Sequence, residues 1–259
     1  MLHKNKLNLN NLLALLLVFL TVQPAIIAKG DRILDPGSYR TILLGPVFGI
    51  NYNMHKGEFV TSDNSYPCCG FDNGTGVSFV FGGKLFYPVT DEIYLTPRLQ
   101  FEGQGGDFKN DKINYPILGP GNRLQNVNLQ DDLKVSLYTL NLDIFGAYDI
   151  AGTGLYVCAG PSFQFVVVKN FKQTEKIVTP SESVFLDGSR ERTLYDESRD
   201  IVNTFQFAIR GGLGYDWNLG SGIHLNPEAL YSYSLTKLSK DYDWKVSNIQ
   251  FSLSILFEL

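Results

Sequence analysis

Along residues 93–103, IYLTPRLQFEG, apolar side chains occupy every second position: Ile93, Leu95, Pro97, Leu99 and Phe101. Tyr94, Thr96, Arg98, Gln100 and Glu102 stand between them. A period of two marks an extended strand with one apolar and one polar face. The same alternation recurs over residues 41–52, 77–87, 138–148, 155–167, 205–217, 223–235 and 249–259. Eight strands are therefore predicted.

The connections alternate in length. Short ones are PVTDE at 88–92, DIAGTG at 149–154 and NLGSG at 218–222, rich in the Gly, Asp and Asn of hairpin turns. Long polar ones cover about 53–76, 104–134, 169–202 and 236–246. Connections this long are uncommon in compact domains unless they carry function. The order places the short turns and both termini at one end of an antiparallel, up-and-down sheet and four long loops at the other. Pro46, Pro97, Pro161 and Pro227 recur on the apolar faces of the alternate strands. Proline removes a ladder hydrogen bond, so bulges or irregular pairing are expected near the short-turn rim.

The apolar faces carry no charge. The polar faces carry Lys84, Arg98, Glu102, Asp143, Arg210, Asp216, Glu228 and Glu258, together with Gln100, Asn141, Gln164, Gln206, Ser252 and Ser254. A soluble barrel would bury the apolar face, and a membrane barrel inverts this. Bulky Phe79, Phe81, Phe101, Phe163, Phe165, Phe205, Phe207 and Phe251 would crowd an eight-stranded interior, which only side chains can fill. The polar faces instead hold the small Gly45, Gly49, Gly82, Gly160, Gly212 and Gly214. Tyr52, Tyr87, Tyr148, Tyr215, Trp217 and Tyr233 gather near strand ends, as interfacial aromatic girdles do. The inverted arrangement is expected: Leu99 and Phe101 toward lipid, Arg98 and Glu102 toward the interior, paired across strands.

The amino terminus fits export. Lys4 and Lys6 precede the apolar run LLALLLVFLTV at 12–22, and QPAIIAKG offers small-residue cleavage after Ala28. A spanning helix needs about 20 apolar residues, and this run is shorter. The predicted organisation is a signal peptide at 1–28, a lead at 29–39 and a barrel domain at 40–259. A net charge of −4 without a Lys/Arg cluster gives no reason to expect nucleic acid.

Strand number, loop asymmetry, export signal and the terminal strand IQFSLSILFEL together resemble the small eight-stranded outer-membrane β-barrels of the OmpA/OmpX type. The resemblance covers residues 40–259; it departs at Leu259, where the family usually ends in an aromatic residue. It implies a transmembrane barrel with four short periplasmic-side turns or termini, four extracellular loops and a lumen plugged by interlocking charges. Lys84, Arg98, Glu102, Asp143, Arg210 and Glu228 match that lumen network. The implied partners are outer-membrane lipid, the barrel-assembly and periplasmic chaperone machinery, and an extracellular ligand at the loops.

Other chemistry is weakly signalled. Cys68 and Cys69 in YPCCGFDNGTG lie on a long loop in an oxidising compartment; a vicinal disulfide, separate pairing or a metal are all open to them, and a structural bridge is favoured. Without further His or Cys nearby, no metal or cofactor is expected. A lipid-modifying barrel enzyme would need a histidine beside a nucleophile. His55 and His224 follow no such pattern, so the expected protein is not an enzyme, His55 being the residue on which the alternative rests. A secreted soluble barrel binding an apolar ligand is the third reading.

Overall fold

The computed structural model describes residues 41–60, 70–110, 113–198 and 201–259. The predicted signal peptide and lead, and Cys68 and Cys69, lie outside the described residues. The described chain is all-β and antiparallel. Its strands are β1 Leu43–Val60, β2 Gly70–Pro88, β3 Ile93–Gly103, β4 Gly106–Lys109, β5 Ile113–Gly119 and β6 Arg123–Asp149. They continue as β7 Leu155–Thr179, β8 Glu191–Glu197, β9 Phe205–Tyr215, β10 Trp217–Gly220, β11 Ile223–Ser234 and β12 Lys245–Glu258. Among the described residues no helix is long and apolar enough to cross a membrane.

Each predicted stretch lies within a longer strand or runs just past its ends. Strand β1 pairs with β2 on one side and β12 on the other. Strand β2 pairs with β3, β3 with β6, β6 with β7, and β7 with β9. Strand β9 pairs with β11, and β11 with β12.

One sequence-based expectation needs correction. The long connections are not mostly loop. Strand β6 begins at Arg123, well before the predicted start at 138, and β7 runs on to Thr179. Strands β5 and β8 flank this ribbon, so β5–β6–β7–β8 form a four-stranded extension. The strand continues because its alternation never stops; only the parity of the apolar side chains changes. In β6 the exposed apolar residues near the turn end are Tyr138, Leu142, Ile144 and Tyr148, whereas Val127, Leu129, Leu133, Val135 and Leu137 are buried. The buried parity is odd throughout, so the enclosed space changes from polar to apolar along one unbroken strand. In β7 a register shift opposite Tyr138 and Thr139 inserts one residue and switches the buried parity from even to odd.

The prolines give the irregular pairing expected of them, without bulges. Pro46, Pro97, Pro161 and Pro227 each keep register with the following neighbour, opposite Gly83, Ile144, Ile209 and Leu253. On the other flank the paired positions lapse and, where the ladder resumes, its register is unchanged, as between Leu44 and Val47 against β12 and between Asp143 and Gly146 against β7. A missing N–H removes a bond, but backbones close together keep their alignment. Glycine permits that approach. A Cβ on Gly45 would lie 1.9 Å from the Ile255 carbonyl oxygen, and one on Gly160 2.0 Å from that of Ile144.

Burial is inverted relative to a water-soluble sheet. Phe48, Phe79, Phe81 and Ile209 are exposed to 57%, 80%, 53% and 51%, while Lys84, Gln100, Glu102 and Asp143 are wholly buried. The enclosed space has three tiers. Toward the short turns, Leu43, Phe86, Tyr94, Phe145, Tyr156, Leu230 and Leu256 form an apolar floor. Charged and carboxamide side chains fill the middle. Above them Phe71, Phe108, Leu133, Val135, Leu137, Phe171, Leu238 and Trp244 form an apolar cap.

Candidate functional site

The middle tier holds the six charged side chains singled out in the sequence, divided into two groups. In the first, Glu228 is shared by two cations. Lys84 Nζ lies 2.8 Å from Glu228 Oε1, while Arg98 donates from Nη1 to Oε2 at 2.9 Å and from Nη2 to Oε1 at 3.0 Å. Lys84 also donates to Asn226 Oδ1 at 2.6 Å and to the Tyr156 hydroxyl at 3.1 Å. The guanidinium of Arg98 lies 4.4 Å from the Phe145 ring centroid. In the second group Arg210 donates from Nη1 to Asp143 Oδ2 at 3.3 Å and from Nη2 to Glu102 Oε1.

Strand register explains both groups. Lys84 and Arg98 are direct neighbours on β2 and β3, and Arg98 and Asp143 on β3 and β6. Glu228 reaches them from β11, across the enclosed space. Three cations face three anions, all removed from water. Such a set is stable only if each charge has partners of opposite sign and its hydrogen bonds are met. The bidentate fork from Arg98 to Glu228 is the geometry that satisfies a buried carboxylate best.

Beside these groups runs a neutral belt. Gln100, Asn141, Gln164 and Gln206 are successive neighbours across β3, β6, β7 and β9, and Asn51 faces Gln250 between β1 and β12. Both ends of the Gln100, Gln206 and Gln250 amides lack a protein partner. On β3 Gln100 lies between Arg98 and Glu102, so the belt is interleaved with the charged groups and adds donors and acceptors without adding net charge.

The cap closes over this belt through the segment before β12. Leu238 and Trp244 are fully buried, and Leu238 N donates to Trp244 O at 2.6 Å. His55 sits beneath. Trp244 Nε1 donates to His55 Nδ1 at 3.2 Å, and the Phe108 ring centroid is 5.1 Å from the imidazole. The neutral ring thus carries its proton on Nε2. His55 lies beyond Tyr52, the last exposed aromatic side chain among the described residues of β1, and so outside the apolar belt. Among the described residues its ring neighbours are Phe108 and Trp244.

Burial lowers the His55 pKa from 6.5 to about 4; backbone groups of Gly105 and Gln104 oppose the shift. The unfolded chain therefore binds the proton at higher pH than the folded one. The stabilisation is complete above about pH 6.5 and is lost as pH falls toward 4, a displacement worth roughly 3 kcal/mol. In a Trp217→Phe background, Trp244 emission is expected to shift to the red over that interval as the cap loosens. In His55→Asn the shift over that interval should vanish; its persistence there would assign it to other groups.

His224 holds the opposite rim. Its Nδ1 is 3.0 Å from both Asp216 carboxylate oxygens and its Nε2 is 3.2 Å from Glu258 Oε1, tying β11 to the residue before β10 and to the end of β12. Tyr156, Asn226 and Trp244 were not singled out in the sequence as partners of the charges or of His55. The signal for Trp244 and its neighbours was the parity change near 137, which shows that one end of the interior turns apolar. Tyr156 and Asn226 had no local signal, because their partners come from strands distant in sequence.

An antiparallel sheet with ionised groups buried on one face and phenylalanines exposed on the other has the construction of a protein whose solvent is the bilayer. The chain belongs to the outer membrane protein beta-barrel domain family, whose model matches residues 29–240. No curated protein sequence matches it. Among solved structures it is similar to the attachment invasion locus protein Ail of Yersinia pestis at 12% identity, over 84% of this chain and 100% of that one, with a TM-score of 0.35. Neisserial surface protein A is 11% identical over 83% and 99%, with a TM-score of 0.35. The outer-membrane protease OmpT of Escherichia coli is 8% identical over 87% and 100%, again with a TM-score of 0.35. Likenesses this distant assign neither an activity nor a ligand.

Proposed function

We propose that this is a non-enzymatic, eight-stranded transmembrane barrel with a sealed lumen, acting at the cell surface in envelope integrity or partner binding through its strand extensions. The pairings β1–β2–β3–β6–β7–β9–β11–β12 lead back to β1, which supports closure around eight strands. The observation that carries the reading is the inversion: paired Lys84, Arg98, Glu102, Asp143, Arg210 and Glu228 within, and an apolar belt without. Four ion pairs lie between two apolar tiers, which supports a lumen that works as a structural core and not as a pore. What then remains for interaction is the extension built from β5, β6, β7 and β8. On this reading the export signal and the assembly and chaperone machinery act during biogenesis, and no cofactor enters the function.

The membrane reading is tested at Ile209, mid-belt, opposite Pro161 and Tyr233. An arginine on the lipid face costs about 2–4 kcal/mol near the midplane. Ile209→Arg is expected to lower the urea midpoint of the protein folded in phospholipid vesicles, whereas Lys134→Arg, on the exposed extension, leaves it in place. Wild-type protein is expected to need detergent for extraction and to pass no stable current in planar bilayers. Release into buffer, or an Ile209→Arg protein as stable as wild type, would overturn the bilayer assignment; a steady open channel would overturn the seal.

A further inference from the structure

The β5–β6 hairpin ends in an apolar knob. Leu118 and Leu124 are directly opposed across it, joined through the tight turn Pro120–Asn122, where Gly121 and Asn122 have φ of 74° and 57°. They point away from the extension's own core, in which Ile117 and Val127, on the other face, pack with Leu129, Ile177 and Phe185. Leu124 is 75% exposed and Leu118 46%. The sequence here is unlike the rest of an acidic chain: residues 113–130 contain no Asp or Glu, and Arg123 adjoins Leu124. The neighbouring turn, held by Gln125 Nε2 donating to Val184 O at 2.8 Å, carries the carboxylates of Glu182 and Asp187. There Asp187 already accepts from the Ser189 amide and hydroxyl, and Glu182 from Ser181.

We infer that this knob docks on a phospholipid bilayer facing the cell, with Leu118 and Leu124 entering the acyl boundary and Arg123 meeting anionic head groups. The inference rests on the barrel reading, which puts the extension outside the membrane. Three observations favour a bilayer over a protein strand. Pro116, in the edge strand β5, has no N–H to give to an added strand. The apolar surface is convex, so it needs a medium that yields around it instead of a preformed pocket. An apolar tip beside a cation is the composition of interfacial membrane anchors. Fifteen residues separate Arg123 from Tyr138 at the edge of the exposed apolar belt, about 50 Å along the strand. The knob therefore stands well clear of the belt of its own barrel.

The experiment uses the full chain in nanodiscs, with correct insertion checked by heat-modifiable migration. Insertion failure at that step would tell against the barrel reading itself, separately from the docking. Inserted discs are incubated with sucrose-loaded vesicles of phosphatidylcholine containing 30% phosphatidylserine, and with pure phosphatidylcholine vesicles. Co-sedimentation above that of empty discs is expected, stronger with the anionic vesicles. Leu118→Ser together with Leu124→Ser should weaken it at least tenfold. Arg123→Gln should remove the anionic preference while retaining binding to phosphatidylcholine. As an independent readout, Leu124→Trp should be quenched by brominated lipid present only in the vesicles. No sedimentation above empty discs, unchanged sedimentation of the serine variant, or an unquenched Leu124→Trp would each overturn the proposal.

Discussion

Replacing Glu228 with alanine should cost this protein about 3–5 kcal/mol, the range found when one partner of a buried ion pair is removed. Glu228 is the shared counter-charge of Lys84 and Arg98, and the side chains of all three are fully buried. Its loss leaves two cations within reach of one another, with Asn226 and Tyr156 as neutral partners for Lys84 only. Glu228→Gln keeps the shape and still leaves the charge uncompensated, so it should lie close to alanine and far from wild type. The measurement is the urea midpoint of the protein folded in detergent micelles, followed by heat-modifiable migration. Adding Lys84→Met to Glu228→Ala should restore part of the loss, because one unpaired charge is removed and its stem is replaced by an apolar one. A Glu228→Ala protein within about 1 kcal/mol of wild type would mean that the carboxylate is not the keystone of the lumen, since such a loss is ordinary for any residue.

Trp244→Ala is expected to cost a similar amount, about 3–5 kcal/mol for a large aromatic removed from a packed site. The loss differs in where it is felt. Trp244 packs on Phe108 and Phe171 with ring centroids 6.0 and 6.3 Å away and donates to His55. Its backbone oxygen accepts from Leu238, so it also folds the preceding segment inward. The variant should therefore open the cap locally, and trypsin should cut after Lys237 and Lys240 many times faster than in wild type. Planar-bilayer recordings should stay silent, because the ion pairs beneath are untouched. Fast cleavage with silence places the seal in the charged tier; current through Trp244→Ala would place it in the cap.

Much of this could be read from the chain. Alternation over residues 93–103 and its seven counterparts specified strands, and bulky phenylalanines on the uncharged face, set against glycines on the polar face, favoured turning the uncharged face to an apolar solvent. That Lys84, Arg98, Glu102, Asp143, Arg210 and Glu228 share the opposite face follows from their positions in a period of two. Strand ends were less legible. The stretch before 138 looked like polar loop because its apolar residues had moved to the other face. Reading parity, instead of counting apolar residues on one face, would have extended β6 to Val127.

By itself the sequence determined which side chains lie on the same face of each strand, because a strand's side chains alternate whatever surrounds it. Only the tertiary structure decided who meets whom. Glu228 serves Lys84 and Arg98, and not Arg210, because the stagger of successive strands brings β11 level with β2 and β3 across the interior. His55 loses its water because Trp244, 189 positions further on, folds over it. Those partners are far apart along the chain, so local spacing carries no trace of them; strand register supplies it.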